Sequence, residues 1–168
     1  PSNYTGGFAK KYGDFQENNR NGRNLAFGVR EFPMAAIMNG MSLHSGIIPF
    51  GGTFLVFSDY SRPAIRLGSL QKIRVIHEFT HDSFYVGEDG PTHQPIEHTM
   101  SLRAIPELQV FRPADAKEAA ICFRLAVESK NKSSALLLTR QGVPVLKESI
   151  QYIENGVQKG GYLLKKCD

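Results

Sequence analysis

Strand-length apolar runs and helix-period segments alternate along this chain of 168 residues, and that alternation restricts its architecture more than any other feature. The runs at 73–79, 108–111 and 134–139 have the length of buried strands, and 47–54 is a further short strand broken by Gly51-Gly52. Between them, 31–43 carries Met34, Ile37, Met38 and Met41 at helical spacing, with Pro33 in the first turn, where proline is tolerated. Residues 57–72 repeat the helical period through Tyr60, Ala64, Ile65 and Leu67, and 94–103 is a short helix with Pro95 near its start. Asp115 is placed to cap a helix reaching about residue 129. Strands separated by helices need crossover connections, so the expected fold is α/β: a three-layer α/β/α arrangement around a mostly parallel sheet. Residues 1–27 read as an irregular arm or loop, 148–157 as a polar loop and 161–165 as a last short strand.

A length of 168 residues is most simply one domain, and a hydrophobic fraction of 41% with 21% charged residues belongs to a globular chain. Pro1-Ser2-Asn3-Tyr4 carry neither an initiator methionine nor a signal-peptide pattern, so a segment of a longer protein is expected. No apolar run approaches the roughly 18 residues of a membrane span, which argues against a membrane partner. The two cysteines, Cys122 and Cys167, offer no disulfide framework or zinc spacing, and a reducing, cytoplasmic setting is expected. A net charge of +4 suits anionic small molecules. The basic residues are scattered pairs such as Lys10-Lys11 and Lys165-Lys166, without the stripe that nucleic acid requires.

The chemistry-bearing residues gather after the strand at 73–79. Thr80-His81-Asp82-Ser83 leads into a Gly/Pro-punctuated loop containing Gly87-Glu88-Asp89-Gly90 and His93. Open α/β sheets bind ligands at the carboxyl ends of their strands, where this loop begins. His81 and His93, with acids between them, could polarise a substrate or hold a metal, although the spacing matches no familiar zinc motif. Phe54, Phe57 and Tyr60 are three apart, a spacing that serves core packing or a face for a flat ring. Glu31 opens a helix, where an acid complements the dipole whatever else it does. Arg140 ends the strand at 134–139, placed either to grip a phosphate or simply to meet solvent. His44, His77 and His98 read as structural.

The chain resembles the central, pyrimidine-binding domain of transketolase, a thiamine-diphosphate enzyme that moves two-carbon units between sugar phosphates. The likeness is carried, in order, by Gly28-Val29-Arg30-Glu31, Gly52-Thr53-Phe54-Leu55, Thr80-His81-Asp82-Ser83, the run 87–95, Arg112-Pro113-Ala114-Asp115 and Thr139-Arg140-Gln141. It is dense from 28 to 141 and looser to Gly160-Gly161-Tyr162. The resemblance implies that Glu31 bonds the pyrimidine N1′ of the cofactor with a raised pKa, and that Phe54, Phe57 and Tyr60 form the pocket around that ring. It implies that His81 and His93 contact the donor's oxygens, that Asp89 recognises its C2 hydroxyl, and that Arg140 and Ser2 hold its phosphate, with His81 sharing that task. The implied setting is a cytoplasmic homodimer acting on a ketose donor and an aldose acceptor.

Some positions depart from the family pattern. Phe84-Tyr85 stand where Ile-Gly is usual, and Gly142 where Asn is usual. The family holds the diphosphate and its divalent metal, Mg or Ca, on a separate domain through a Gly-Asp-Gly motif, which Gly87-Glu88-Asp89-Gly90 is not. The resemblance also implies that the domain's usual first strand and the family's other domains are missing from this sequence, so the chain alone is expected to be inactive. The alternatives are a related thiamine enzyme, such as a 1-deoxyxylulose-5-phosphate synthase or a pyruvate-dehydrogenase-type component, and a non-catalytic dimerisation module.

Overall fold

The computed structural model describes residues 6–147 and 150–164. In chain order the elements are α1 (Gly6–Tyr12), α2 (Glu31–His44), β1 (Phe50–Phe54), α3 (Ser58–Leu70), β2 (Ile76–Thr80), α4 (His98–Arg103), β3 (Gln109–Phe111), α5 (Ala116–Glu128), β4 (Ser134–Leu137) and α6 (Ile150–Gln158). Short 3-10 turns occupy Leu55–Phe57, Phe84–Val86 and Pro91–His93. The four strands form one sheet in the order β1-β2-β4-β3, and every pairing is parallel. The expected α/β architecture with a parallel sheet is therefore the observed one.

Both faces of the sheet are covered, because alternate residues of a strand point to opposite sides. Phe79, Ala135 and Leu137 pack on one side with Leu55, Ile65, Leu102 and Ile105. Ile76 and Leu136 pack on the other with Cys122 and Ala126 of α5. Phe50 of β1 also meets Phe123 of α5 edge-on, with centroids 5.9 Å apart. All four residues of β4 are buried, as a central parallel strand requires. Truncation of a fully buried phenylalanine such as Phe79 to alanine costs roughly 3–5 kcal/mol.

Helix α2 lies on α3 and β1 through Met34, Ala35 and Met38, which pack with Ala64 and Val75. Gly51 permits this approach: a Cβ there would sit 2.7 Å from the Met38 sulfur. Asn39 secures the same contact by donating to the Ala64 carbonyl at 2.8 Å. At α5 the Asp115 carboxylate accepts the Glu118 N–H at 2.9 Å, the cap expected from sequence. Its other oxygen accepts the Leu146 N–H at 2.8 Å, pinning the strap after β4 onto the helix start. Burial raises the Asp115 pKa, but N–H donors from Glu118, Leu146 and Lys117 outweigh it and leave the carboxyl below its usual range.

Three local expectations are corrected. The arm read as irregular carries α1 and then folds back, with Asn24 donating to the Asp14 carboxylate at 2.5 Å. The segment at 148–157 read as a loop contains α6, whose Ile153 is fully buried. Ile150, Ile153 and Val157 had the helical spacing, but the polar residues between them obscured it. No strand forms at 161–164, because Tyr162 turns back to donate to the Glu118 carboxylate at 2.5 Å. Lys165, Lys166 and Cys167 lie outside the described residues.

On β2, His77 is fully buried, stacks on Phe79 with centroids 6.2 Å apart, and its Nε2 finds no hydrogen-bond partner among the described residues. Burial pushes its pKa from 6.5 down to about 4. The folded form therefore needs the neutral ring. The unfolded chain takes up a proton as pH falls below 6.5, while the folded chain resists until about 4. The contribution is fully present above pH 6.5 and is lost through that window, by roughly 3 kcal/mol in all. Urea denaturation at about pH 7 and pH 5 should show this drop, and His77→Phe should remove about 2 kcal/mol of it. Parallel pH dependences in the two proteins would contradict the assignment.

Candidate active site

The site is built where β1 and β2 end side by side. Their parallel register sets Phe54 opposite Thr80, so the segments that follow emerge together. After β1 the chain turns through Leu55–Phe57 directly into α3, and this brings Phe54, Phe57 and Tyr60 to one side. Phe54 and Phe57 are 6.0 Å apart between centroids with planes 19° apart; Phe57 and Tyr60 are 6.0 Å and 26° apart. Phe54 and Phe57 are half-buried, and Tyr60 is 64% exposed.

After β2, His81 adopts a left-handed backbone with φ of 56°. That conformation costs an L-residue roughly 1–2 kcal/mol and turns the chain sharply out of the strand. Its ring stacks on Phe54 at 3.6 Å between centroids, and its Nδ1 lies 2.9 Å from the Thr80 hydroxyl. His93 closes the Pro91–His93 turn and stands edge-on to Phe57 at 5.4 Å and to Phe54 at 6.4 Å. The two histidines and three aromatic residues picked from sequence thus form one array of five rings.

Arg140 follows β4 and reaches the same edge, where its Nη2 lies 3.0 Å from Glu88 Oε1. Burial holds His81 below its ordinary pKa. Asp89 and Glu88 oppose that shift and Arg140 reinforces it, so His81, Glu88, Asp89 and Arg140 share one electrostatic field. A neutral imidazole there can donate or accept without adding charge.

Glu31 is half-buried at the start of α2 and lines a hollow of about 980 Å³ running beside β1. Gly52 and Thr53 line the same hollow, and Phe54, where the ring array begins, is the next residue. None of the five rings of the array lines that hollow, so Glu31 and the rings are not brought into one cavity. Asp89 makes no hydrogen bond to a described residue. Ser2 lies outside the described residues.

Sequence reasoning missed the polar contacts that hold these loops. Asp82 is buried, and Arg112 Nε donates to its Oδ2 at 2.7 Å, anchoring the turn that carries His81. His98, read as structural, is buried with Nε2 3.1 Å from Asp59 Oδ2. Arg62 stands 3.6 Å from the other Asp59 oxygen and donates to the Ser101 carbonyl at 3.0 Å. Together these contacts tie the first turn of α3, bearing Tyr60, to α4 behind the His93 loop. Asp59, Glu97 and His98 also form the one group of potential metal ligands found among the described residues, and Arg62 already supplies positive charge to Asp59. Asp82 and Arg112 both fall in motif stretches singled out above, but nothing in the sequence says that they meet. Phe84 and Tyr85 are exposed and tilted together at 4.2 Å, with Gln141 donating to the Tyr85 carbonyl.

Arg112→Ala should leave the Asp82 carboxylate buried without its charged donor and lower stability by about 1–3 kcal/mol. Chemical denaturation measures this, and an unchanged midpoint would show the pair to be dispensable.

Residues 2–145 match the sequence profile of the family described as "Transketolase, pyrimidine binding domain". Transketolase from Geobacillus stearothermophilus is 58% identical over 152 residues, a stretch covering 90% of this chain and 23% of that protein. Among solved structures, transketolase from Leishmania mexicana superposes with a TM-score of 0.86 at 46% identity, covering 93% of this chain and 23% of its own. A transketolase from Pichia stipitis described as a complex with sedoheptulose-7-phosphate gives a TM-score of 0.84 at 42% identity, covering 92% of this chain and 23% of its own. The chain thus spans about a quarter of the length of the relatives it matches. With a parallel α/β sheet, the ring array and this extent of identity in agreement, the chain belongs to the transketolase family as a pyrimidine-binding domain.

Proposed function

We propose that the chain is a single domain that supplies the pyrimidine-binding half and much of the substrate half of a transketolase active site. The whole enzyme would move a two-carbon ketol unit from a ketose phosphate to an aldose phosphate. The observation that carries this reading is the array of His81, Phe54, Phe57 and Tyr60, with His93 edge-on, at the ends of β1 and β2. An aromatic face suits a flat heterocycle, and a half-buried carboxylate suits its ring nitrogen. The donor set therefore fits the pyrimidine end of thiamine diphosphate. When bound, that cofactor supplies the nucleophilic carbon that carries the two-carbon unit.

Each residue has a separate task in this reading. Glu31 hydrogen-bonds the pyrimidine nitrogen and sets the proton distribution on that ring. Phe54, Phe57 and Tyr60 hold the ring by contact and keep water from it. His81 and His93 act on the oxygens of the donor, and His81, held below its ordinary pKa by burial, can donate or accept there and share in holding the phosphate. Asp89 accepts a substrate hydroxyl, and a site that bonds one hydroxyl rejects analogues lacking it. Arg140 grips the phosphate with its planar fork, and Ser2 assists from outside the described residues. The complex of the Pichia stipitis relative with sedoheptulose-7-phosphate supports a sugar phosphate as ligand.

The diphosphate and its Mg or Ca would be held by another domain, and the active enzyme would be a cytoplasmic homodimer. Cys122 suits a reducing compartment: it is a free buried thiol whose pKa burial pushes up to about 12. No described helix is long and apolar enough to cross a membrane.

In the full-length enzyme carrying this segment, Glu31→Ala should slow exchange of the thiazolium C2 proton of bound cofactor by at least about 100-fold, read by NMR after quenching. Near-normal exchange would refute the role of Glu31. The 168-residue chain alone should transfer no ketol unit. Calorimetry should also find no micromolar binding of thiamine diphosphate to it, and such binding would show that one half-site suffices.

A further inference from the structure

The phosphate hook already has a ligand. Arg140 Nη2 lies 3.0 Å from Glu88 Oε1, across 52 residues of sequence and between the loops that follow β4 and β2. We propose that Glu88 is an internal competitor for Arg140, so that an anion entering this end of the cleft must displace it and binds more weakly than Arg140 alone would allow. The inference rests on Arg140 being the phosphate ligand of the proposed function.

The geometry supports displacement over a fixed structural tie. Glu88 is in a turn closed by the Gly90 N–H donating to the Gly87 carbonyl at 3.3 Å. Gly87 and Gly90 have φ of 82° and 78°, so the turn takes a backbone open to glycine. Its surroundings are free, since a Cβ at either glycine would meet nothing within 4 Å. The Glu88 side chain is 78% exposed, so it can leave Arg140 without disturbing any packed group.

The two loops are also joined by a contact that does not involve the ion pair. Gln141 donates its side-chain N–H to the Tyr85 carbonyl, and the Thr139 hydroxyl donates to the Gln141 oxygen at 2.7 Å. Opening the Arg140–Glu88 pair therefore leaves the loops tethered, and only one side chain has to move.

The charges decide what can displace Glu88. The pair is exposed on both sides, and exposed pairs contribute little, so displacement is easy for a stronger ligand. A carboxylate ligand carries one negative charge and replaces Glu88 with its equal. A phosphate dianion brings nearly two charges and more oxygens to the guanidinium fork. Glu88 thus lowers the affinity for every anion, and the dianion retains useful binding. Asp89, next in the chain, stays available for a substrate hydroxyl because it does not share the contact to Arg140.

The test is an NMR titration of the 168-residue chain, following arginine Nε–Hε signals, with inorganic phosphate near pH 8 and separately with acetate. Wild type, Glu88→Gln, Arg140→Gln and the double variant are compared after circular dichroism has matched their folds. Glu88→Gln should bind phosphate about twofold to fivefold tighter than wild type, the range expected from releasing an exposed ion pair. Acetate should likewise bind tighter to Glu88→Gln than to wild type, and Arg140→Gln should abolish binding in both backgrounds. Equal or weaker phosphate binding by Glu88→Gln, or equal acetate binding by wild type, would overturn the inference while leaving Arg140 as the hook. Phosphate binding that survives Arg140→Gln would overturn both the inference and the phosphate role of Arg140 on which it rests.

Discussion

The parallel register of β1 on β2 is the constraint on which the site depends. With Phe54 opposite Thr80, the residue after β2 emerges beside the last residue of β1, and the His81 ring lands on the Phe54 ring. A slip of one residue would exchange the faces of the whole strand. It would move Phe54 away from His81 and Phe79 out of the core. The core contacts of Phe79, Ala135 and Leu137 on one side, and Ile76 and Leu136 on the other, make such a slip costly. The same packing that stabilises the sheet therefore brings Phe54 and His81 side by side.

The loops beyond the strands lack that support and depend on polar ties. Asp82–Arg112 holds the turn containing His81, Asp59–His98 joins the first turns of α3 and α4, and Gln141 bridges to the loop of Tyr85. Buried and exposed ties differ in consequence. Asp82 is buried, so losing its partner leaves a charge without solvent. Glu88 and Arg140 are exposed, so their pair can open at small cost. The candidate site thus combines buried ties, which set ring positions, with an exposed pair at Arg140 and Glu88.

Two further features lie outside the ring array. Phe84 and Tyr85 place two exposed rings beside the histidine loop, and the Tyr85 carbonyl is used to hold Gln141. His77 places a titratable ring in the core against Phe79, where burial keeps it neutral. These two features bear on cleft shape and acid stability without altering the ring array.

Much of the molecule could be read from residue order because its signals are local. Alternating apolar runs determined the parallel α/β class, Asp115 marked a helix start, and Met34, Ile37, Met38 and Met41 marked α2. The motif residues Phe54, Phe57, Tyr60, His81 and His93 were also visible, since each lies in a short distinctive stretch. α6 was hidden because Ile150, Ile153 and Val157 are separated by polar residues, and its burial depends on α5 lying beneath it. Tertiary structure alone decided which loops meet. Asp82 and Arg112 are 30 residues apart, Asp59 and His98 39, and Glu88 and Arg140 52. Such pairs leave no periodicity in a sequence, because their separation reflects the length of the intervening crossovers. They form only once the sheet has brought the strand ends together.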